Sequence, residues 1–455
     1  MKFIIIIIFI SVPYIKGFAQ FGPQQIISTE VFGTNSVISA DIDGDNDMDV
    51  ITEGHIVAWY ENLNGFGDFG EQQMIANNAF GHAFCVATAD FDGDGDLDVL
   101  SSFWADPPGE GKIIWNENLD GQGGFGNENV IDLGVPTATT VIPVDIDNDA
   151  DFDVVLVDRN NDKIAWYENL NGLGDFGPQI IISIVLDWPI KGHVADIDND
   201  GYVDIIGAAY DGNQLGWFRN LNGTGSFSKL NLISSNVINP RNIFAADIDM
   251  DGDLDVVSSS LGDNKVAWYE NMDGNGTFSS QHLVSTEVTT PRTLFMEDVD
   301  NDGDYDIITN NGVEIIWFKN INGLGDFSNP IIISQETIYP TSVFMSDIDQ
   351  DGDFDVLSSS QIDHKAAWYE NLTILSNSDN ENLTVAIYPN PFDGIINIKT
   401  NDKLKSIKIF NLFGELIFSE SDVRSLQTER IQSGVYIVEL FFYNGYSESF
   451  KIIKK

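Results

Sequence analysis

Seven copies of an acidic nonapeptide recur along the chain at intervals of 49–55 residues, averaging 51. Each is followed by a Trp-x-x-Asn segment, and the stretches between are short runs rich in Ile, Val and aromatics. These three observations predict an all-β fold, a seven-bladed β-propeller with calcium-binding loops followed by a small β-sandwich.

The repeat opens as D-I-D-G-D-N-D-M-D at Asp41 and returns at Asp90, Asp145, Asp196, Asp247, Asp298 and Asp347. The Trp segment opens at Trp59, Trp115, Trp166, Trp217, Trp268, Trp317 and Trp368, and a Gly-x-Gly-x-Phe element ends the first six copies. In the fifth copy, residues 242–246, 255–259, 265–270 and 278–284 are strand-length runs broken by Gly, Asn or Asp. Four strands in a unit of about fifty residues is the pattern of a propeller blade. The seventh copy stops at Leu372 without a fourth strand. Residues 21–28, F-G-P-Q-Q-I-I-S, match F-G-P-Q-I-I-I-S at residues 176–183, the fourth strand of copy three. Placed beside the seventh copy, they close the ring and pair an otherwise open edge.

Composition limits the partners. The formal charge is −49, and residues 20–376 carry 11 Lys/Arg against 61 Asp/Glu. Such a surface repels nucleic acid and anionic membrane, which excludes both as partners. The first 19 residues join Lys2 to an apolar run and end in Gly17-Phe18-Ala19, the plan of a cleaved signal peptide. The run is too short to span a bilayer, so no membrane insertion is expected. Cys85 is the only cysteine. No internal disulfide is possible, and its apolar flanks predict a buried thiol.

Each nonapeptide carries Asp at positions one, three, five and nine. These are Asp41, Asp43, Asp45 and Asp49; Asp90, Asp92, Asp94 and Asp98; Asp145, Asp147, Asp149 and Asp153; and Asp196, Asp198, Asp200 and Asp204. The last three sets are Asp247, Asp249, Asp251 and Asp255; Asp298, Asp300, Asp302 and Asp306; and Asp347, Asp349, Asp351 and Asp355. Oxygen ligands on alternate residues, a turn residue at position six and a final acid are how one loop wraps Ca2+, with the seventh carbonyl adding a ligand. Without a cation the carboxylates repel at short range. About seven calcium ions, mainly structural, would then do the fastening that disulfides cannot. Position six is Gly in five copies, Asn46 in the first and Ala150 in the third, so the third loop should be the weakest or most distorted.

At these residues the chain resembles the FG-GAP/VCBS repeat family of β-propellers, also found in integrin α subunits, over about residues 21–372. Phe-Gly stands at Phe69-Gly70, Phe125-Gly126 and Phe176-Gly177, while the Gly-Ala-Pro element is absent, so integrin-like partner binding is not carried over. The resemblance implies calcium held between the first and second strands of a blade. Family members serve in adhesion, carbohydrate binding and, less often, polysaccharide degradation. From about residue 377 lysine appears and the acidic loops stop. I-Y-P-N-P-F at residues 387–392, S-G-V-Y-I-V-E-L at 433–440 and the final F-K-I-I-K-K resemble the C-terminal sorting domain of the type IX secretion system of Gram-negative bacteria. That implies contact with the secretion machinery and a secreted or cell-surface location. The expected domains are a signal peptide at 1–19, the propeller at 20–373, and a linker with the sorting domain at 374–455.

No separate catalytic domain is visible, and no nucleophile or metalloprotease motif occurs. His55, His82, His193, His282 and His364 occupy different repeat positions without metal-ligand spacing and read as surface or strand-end residues. The face opposite the acidic loops offers ligand-binding candidates. It holds the longest insertion, residues 103–111 with Trp104, Asp106 and Glu110, together with Trp188, Tyr210 and Tyr339. Arg241 and Arg292 each follow a Pro six residues before an acidic loop. Aromatic platforms with Arg suit a polyhydroxylated or uronic-acid ligand, against the plainer reading of strand-start packing and surface ion pairs. The expected function is a non-enzymatic binding or adhesion protein for a glycan or protein partner. The alternative is a polysaccharide-degrading propeller enzyme such as a lyase, which needs a base and a charge neutraliser in one cleft.

Overall fold

The computed structural model describes residues 20–77, 81–105, 111–373 and, between 385 and 455, the strands and their immediate flanks. The expected signal peptide at 1–19 lies outside the described residues, as do Asp106 and Glu110. Two compact units divide the chain, one ending at Thr373 and the other starting at Ile374.

The first unit contains seven four-stranded antiparallel sheets, the propeller-like blades the repeat predicts. Six use consecutive strands and cover 36–77, 81–133, 138–183, 189–234, 240–285 and 294–334. The seventh joins Pro340–Ser346, Asp355–Ser360 and Lys365–Tyr369 to Gln25–Ser28, from the opposite end of the sequence. Gln25 pairs with Trp368 and Ile26 with Ala367. The Gly22 N–H donates to the Glu370 carbonyl at 2.7 Å, as Gly70 does to Glu61 and Gly177 to Glu168 within their own blades. Residues 21–28 therefore supply the missing fourth strand and close the ring. In blade five the fourth strand is shorter than expected, His282–Ser285, and Phe278 stands apart in a lone bridge to Asn271. A register shift between Val266 and Ala267 loosens the pairing there.

The second strands are buried along their length, as in Asp255–Ser260 and Asp355–Ser360, because both faces of each sheet pack on neighbours. Eight apolar clusters fill the described protein, and most draw residues from two adjacent blades. A second device joins the blades. The fully buried Asn at the end of each Trp segment donates its amide to a carbonyl in the preceding blade. Asn118 reaches Ile42, Asn169 reaches Phe91, and Asn62 crosses the closure to Ile348, at 2.8–2.9 Å. In five blades its side-chain oxygen also accepts the N–H of the Gly five residues on. Each blade-to-blade bond lies where water cannot replace it. Gly123, with φ +76, faces the Trp59 ring so closely that a Cβ would lie 2.1 Å from it. Blade seven has no such Gly, and Phe21 meets Trp317 edge-on at 6.4 Å.

The second unit has a three-stranded sheet, Val385–Tyr388, Ile395–Thr400 and Ser425–Gln427, and a four-stranded one, Leu416–Ser421, Leu404–Asn411, Gly434–Phe442 and Ser447–Lys454. Alternate residues of the long strands turn inward, and Ile396, Leu426, Ile407, Val438 and Ile452 share one core.

Candidate functional site

The acidic loops join the first and second strands of each blade. The position-one carboxylate folds the loop onto itself: Asp90 Oδ1 accepts the N–H of Gly93 and Asp94, and Oδ2 that of Gly95, at 2.7–3.2 Å. Position six is left-handed in all seven copies, including Asn46 at φ 73 and Ala150 at φ 77. Ala150 thus holds this turn without the glycine that eases it in five copies. Position four is left-handed as well, even where it is Met250 at φ 60 or Gln350 at φ 57. This second tight turn brings alternate carboxylates inward, and the sequence reading did not foresee it.

Position nine has a further duty. Asp49 is fully buried and accepts the N–H of Ile42 at 3.0 Å and of Asn62 at 2.8 Å. The same two backbone bonds recur at Asp98, Asp153, Asp204, Asp255, Asp306 and Asp355. This acid ties the loop to the Asn segment that bonds the preceding blade. Burial outweighs these donors and pushes its carboxyl up, to about 7 in the first five blades, about 8 for Asp306 and about 9 for Asp355.

Whether the loops fit a cation is answered by their unused oxygens. At position three Asp198 meets Arg219 and Asp300 meets Lys319, whereas one buried oxygen each of Asp43, Asp147 and Asp249 has no hydrogen-bond donor. The same holds at position seven for Asp47, Asp151 and Asp304. Carboxylate atoms of Asp41, Asp43 and Asp45 lie within 4.8 Å of one another, as do those of Asp90, Asp92 and Asp94, of Asp145, Asp147 and Asp153, of Asp196, Asp198 and Asp204, and of Asp247, Asp249 and Asp251. Buried anionic oxygens that face one another without donors suit a hard divalent cation.

The seven first strands surround a cavity of about 380 Å³. Its lining contains Arg159, Lys191, Arg241 and Arg292 and no acidic residue. Elsewhere in the unit, Lys112, Lys163, Lys265 and Lys365 pair with nearby carboxylates, and Arg219 and Lys319 sit on acidic loops. The four channel cations make no ion pair among the described residues, which corrects the reading of Arg241 and Arg292 as surface ion pairs. Burial lowers the pKa of Arg241, and the charges of Arg292 and Arg159 lower it further. Burial also lowers Arg159. Burial pushes His193 down to about 4, with the Lys191 charge adding to it.

Aromatic rings border these cations. Arg292 lies 4.2 Å from the centre of the Tyr339 ring, and Arg159 lies 4.9 Å from Trp188. Trp188 meets Tyr210 edge-on at 5.3 Å and donates its indole N–H to Asn160 at 3.0 Å. Trp188 and Tyr339 both precede a proline with positive φ, 57 and 65, as Asn239 and Thr290 do at the same place in blades five and six. Bulky residues seldom hold that conformation, and such strain gathers at functional sites. Trp104 joins this group through Phe84, which it meets edge-on at 6.5 Å and over which Arg159 lies at 5.8 Å, and it stacks on His82 at 6.4 Å. His82 packs against His55 at 4.1 Å, so two histidines that looked unrelated in sequence form one rim cluster. Cys85 is buried on the channel wall, as expected, and burial raises its pKa.

The chain carries FG-GAP-like repeats, matched at residues 145–207, 196–258, 251–309 and 298–358. It ends in a secretion system C-terminal sorting domain at residues 386–455, which makes it a secreted or cell-surface protein of a Gram-negative bacterium. One relative, the ulvan lyase NLR42 of Nonlabens ulvanivorans, is 31% identical over 87 residues, spanning 18% of this chain and 16% of that protein. Among solved structures, a lectin of Agrocybe aegerita that recognises non-reducing terminal N-acetylglucosamine aligns with TM-score 0.51 and 22% identity, covering 67% of this chain and 81% of its own. BBS1N, in complex with ARL6DN, aligns with TM-score 0.53 and 13% identity, over 80% of this chain and 99% of its own. At these identities the likeness is one of fold.

Proposed function

We propose that this protein is a secreted, calcium-loaded seven-bladed β-propeller that binds an acidic glycan at the channel mouth opposite the acidic loops. The domain plan is signal peptide 1–19, propeller 20–373, and a linker with the sorting domain at 374–455, the last folding as a small β-sandwich. The observation that carries the binding site is the channel itself. In a unit with 61 acidic residues, the channel cavity gathers Arg159, Lys191, Arg241 and Arg292 without a carboxylate. The guanidinium groups of Arg241 and Arg292 donate no hydrogen bond within the described protein. Each carries five donors aimed into shared space, the equipment for a carboxylate or sulfate on a sugar ring. Tyr339, Trp188 and Tyr210 supply flat surfaces against which the ring can lie. Around this site the acidic loops act as structural calcium clamps, and the sorting domain addresses the chain to the secretion machinery.

A second reading makes the same site catalytic. Tyr339 stacked on Arg292 would pair a phenolic base with a charge neutraliser, and a partial relative is a lyase. One experiment separates the readings. Purified protein is screened on an array of neutral and acidic glycans, and hits are incubated with it while the ultraviolet absorbance of an unsaturated product is followed. Retained glycan without absorbance supports binding, absorbance lost in Tyr339→Phe supports the lyase, and no preference for acidic glycans ends both.

A further inference from the structure

The seven acidic loops are not equivalent, because the residue facing them changes sign. The third residue of the Trp segment is Glu61, Glu117, Glu168, Glu270 and Glu370 in blades one, two, three, five and seven, but Arg219 in blade four and Lys319 in blade six. Glu61, Glu117, Glu168 and Glu270 add negative charge at the position-three acids of their own loops. The two cations instead reach into theirs. Arg219 Nε lies 2.5 Å from Asp198 Oδ2, and Nη2 lies 2.8 Å from Asp200 Oδ2. Lys319 contacts Asp300 and lies 2.7 Å from Asp302. In both loops these are positions three and five. The fourth loop also has Tyr202 where the others have an acid at position seven.

Counting the loop and its facing residue, the formal charge is −6 in the five Glu blades, −3 in blade four and −4 in blade six. We infer that blades four and six are closed by their own cation: Arg219 and Lys319 occupy the carboxylates that calcium uses elsewhere, and the propeller binds five calcium ions. This rests on the reading of the acidic loops as calcium clamps. A divalent ion entering these two loops must displace the side chain from both carboxylates and then sit beside a positive charge, which disfavours it twice. The arrangement keeps two blades fastened when calcium is scarce, while the other five depend on it.

The test is calcium stoichiometry. The full chain is stripped with a chelator and titrated with calcium by calorimetry, with equilibrium dialysis at saturation as the count. The wild type is expected to bind five ions, Arg219→Glu and Lys319→Glu six each, and the double variant seven. Seven ions in the wild type, or a count that neither variant changes, overturns the inference while leaving the calcium reading intact. No bound calcium at all overturns the calcium reading beneath it. If the Glu variants do not fold, Arg219→Gln and Lys319→Gln remove the cation alone. Each should lower the melting temperature of the chelated protein, and calcium should restore it. An unchanged melting temperature in chelator shows that the side chains fasten nothing and sinks the proposal.

Discussion

The acidic loops and the central channel follow opposite rules of construction. On the loop side the same atoms recur blade after blade: a position-one acid folding the loop, a left-handed position six, a buried position-nine acid, and an Asn bonded to the blade before. Along the channel the charged groups do not recur as a set. Arg241 and Arg292 share a repeat position, but blade four has Ile190 there and blade seven has Thr341. Arg159 comes from a short 3-10 turn, Arg159–Asn161, found in blade three alone among the described residues. What repeats holds the ring together, and what departs from the repeat gives it one distinctive surface. Ring assembly needs identical joints, whereas recognition of an asymmetric ligand needs unlike groups at fixed places.

This contrast predicts unequal effects of mutation. Deleting residues 21–28 should cost the most, since it removes a strand from blade seven and the Phe21 ring from Trp317, and bares an edge. The expected outcome is aggregation or a large fall in melting temperature, and a melting curve like that of the intact protein would refute closure as a stabilising device. Asn169→Leu should come next. It strips the bonds to the Phe91 carbonyl and from the Gly174 N–H, both in the buried joint, for roughly 3 kcal/mol by denaturant titration. Gly123→Ala drives a methyl group into the Trp59 ring at a left-handed position and should cost about 2 kcal/mol, with no effect on glycan retention.

A pH series sharpens the comparison from the loop side. Without calcium, burial raises the position-nine carboxyls to about 7–9, well above their unfolded value near 4. A raised folded pKa means that the folded state keeps a proton which the unfolded state has lost. That contribution is complete below pH ~4 and vanishes as pH rises through ~7–9. Chelated protein should therefore melt higher at pH 5 than at pH 8, and saturating calcium should reverse the order. The reverse order in chelator would show that these acids are charged in the metal-free fold. The smallest effect on stability belongs to the channel: Arg241→Ala with Arg292→Ala should leave melting nearly unchanged, or raise it slightly by relieving repulsion, while abolishing acidic-glycan retention.

The same contrast explains what could be read from the sequence. Periodicity exposes anything present seven times, so the blades, the loops and the displaced strand were all legible, the last through seven of eight residues shared with copy three. The Trp-x-x-Asn motif was visible, but the bond of its Asn to the preceding blade was not, because the acceptor lies 72–78 residues upstream in six blades and beyond the closure for Asn62. Arg241 and Arg292 drew notice through their shared position. Arg159 and Lys191 did not, since each occurs once and only the ring brings them together. The pairing of His55 with His82 was hidden for the same reason. Arg219 and Lys319 drew no notice, since a lone cation in the Trp segment gains its meaning only from the loop it reaches.

Closure by the first strand also has a consequence in time. Gln25 meets Trp368 across more than 340 residues of chain, so a strand made ahead of blade one must wait for blade seven before it finds its partner. The entropic cost of so long a loop grows only slowly with length, by about 0.6 kcal/mol for each doubling, but the encounter is late by necessity. A chain cut short anywhere before residue 365 keeps its leading strand unpartnered, however many blades it has already formed. Only the complete seven-blade chain can lock, and the order of synthesis thereby acts as a check on length.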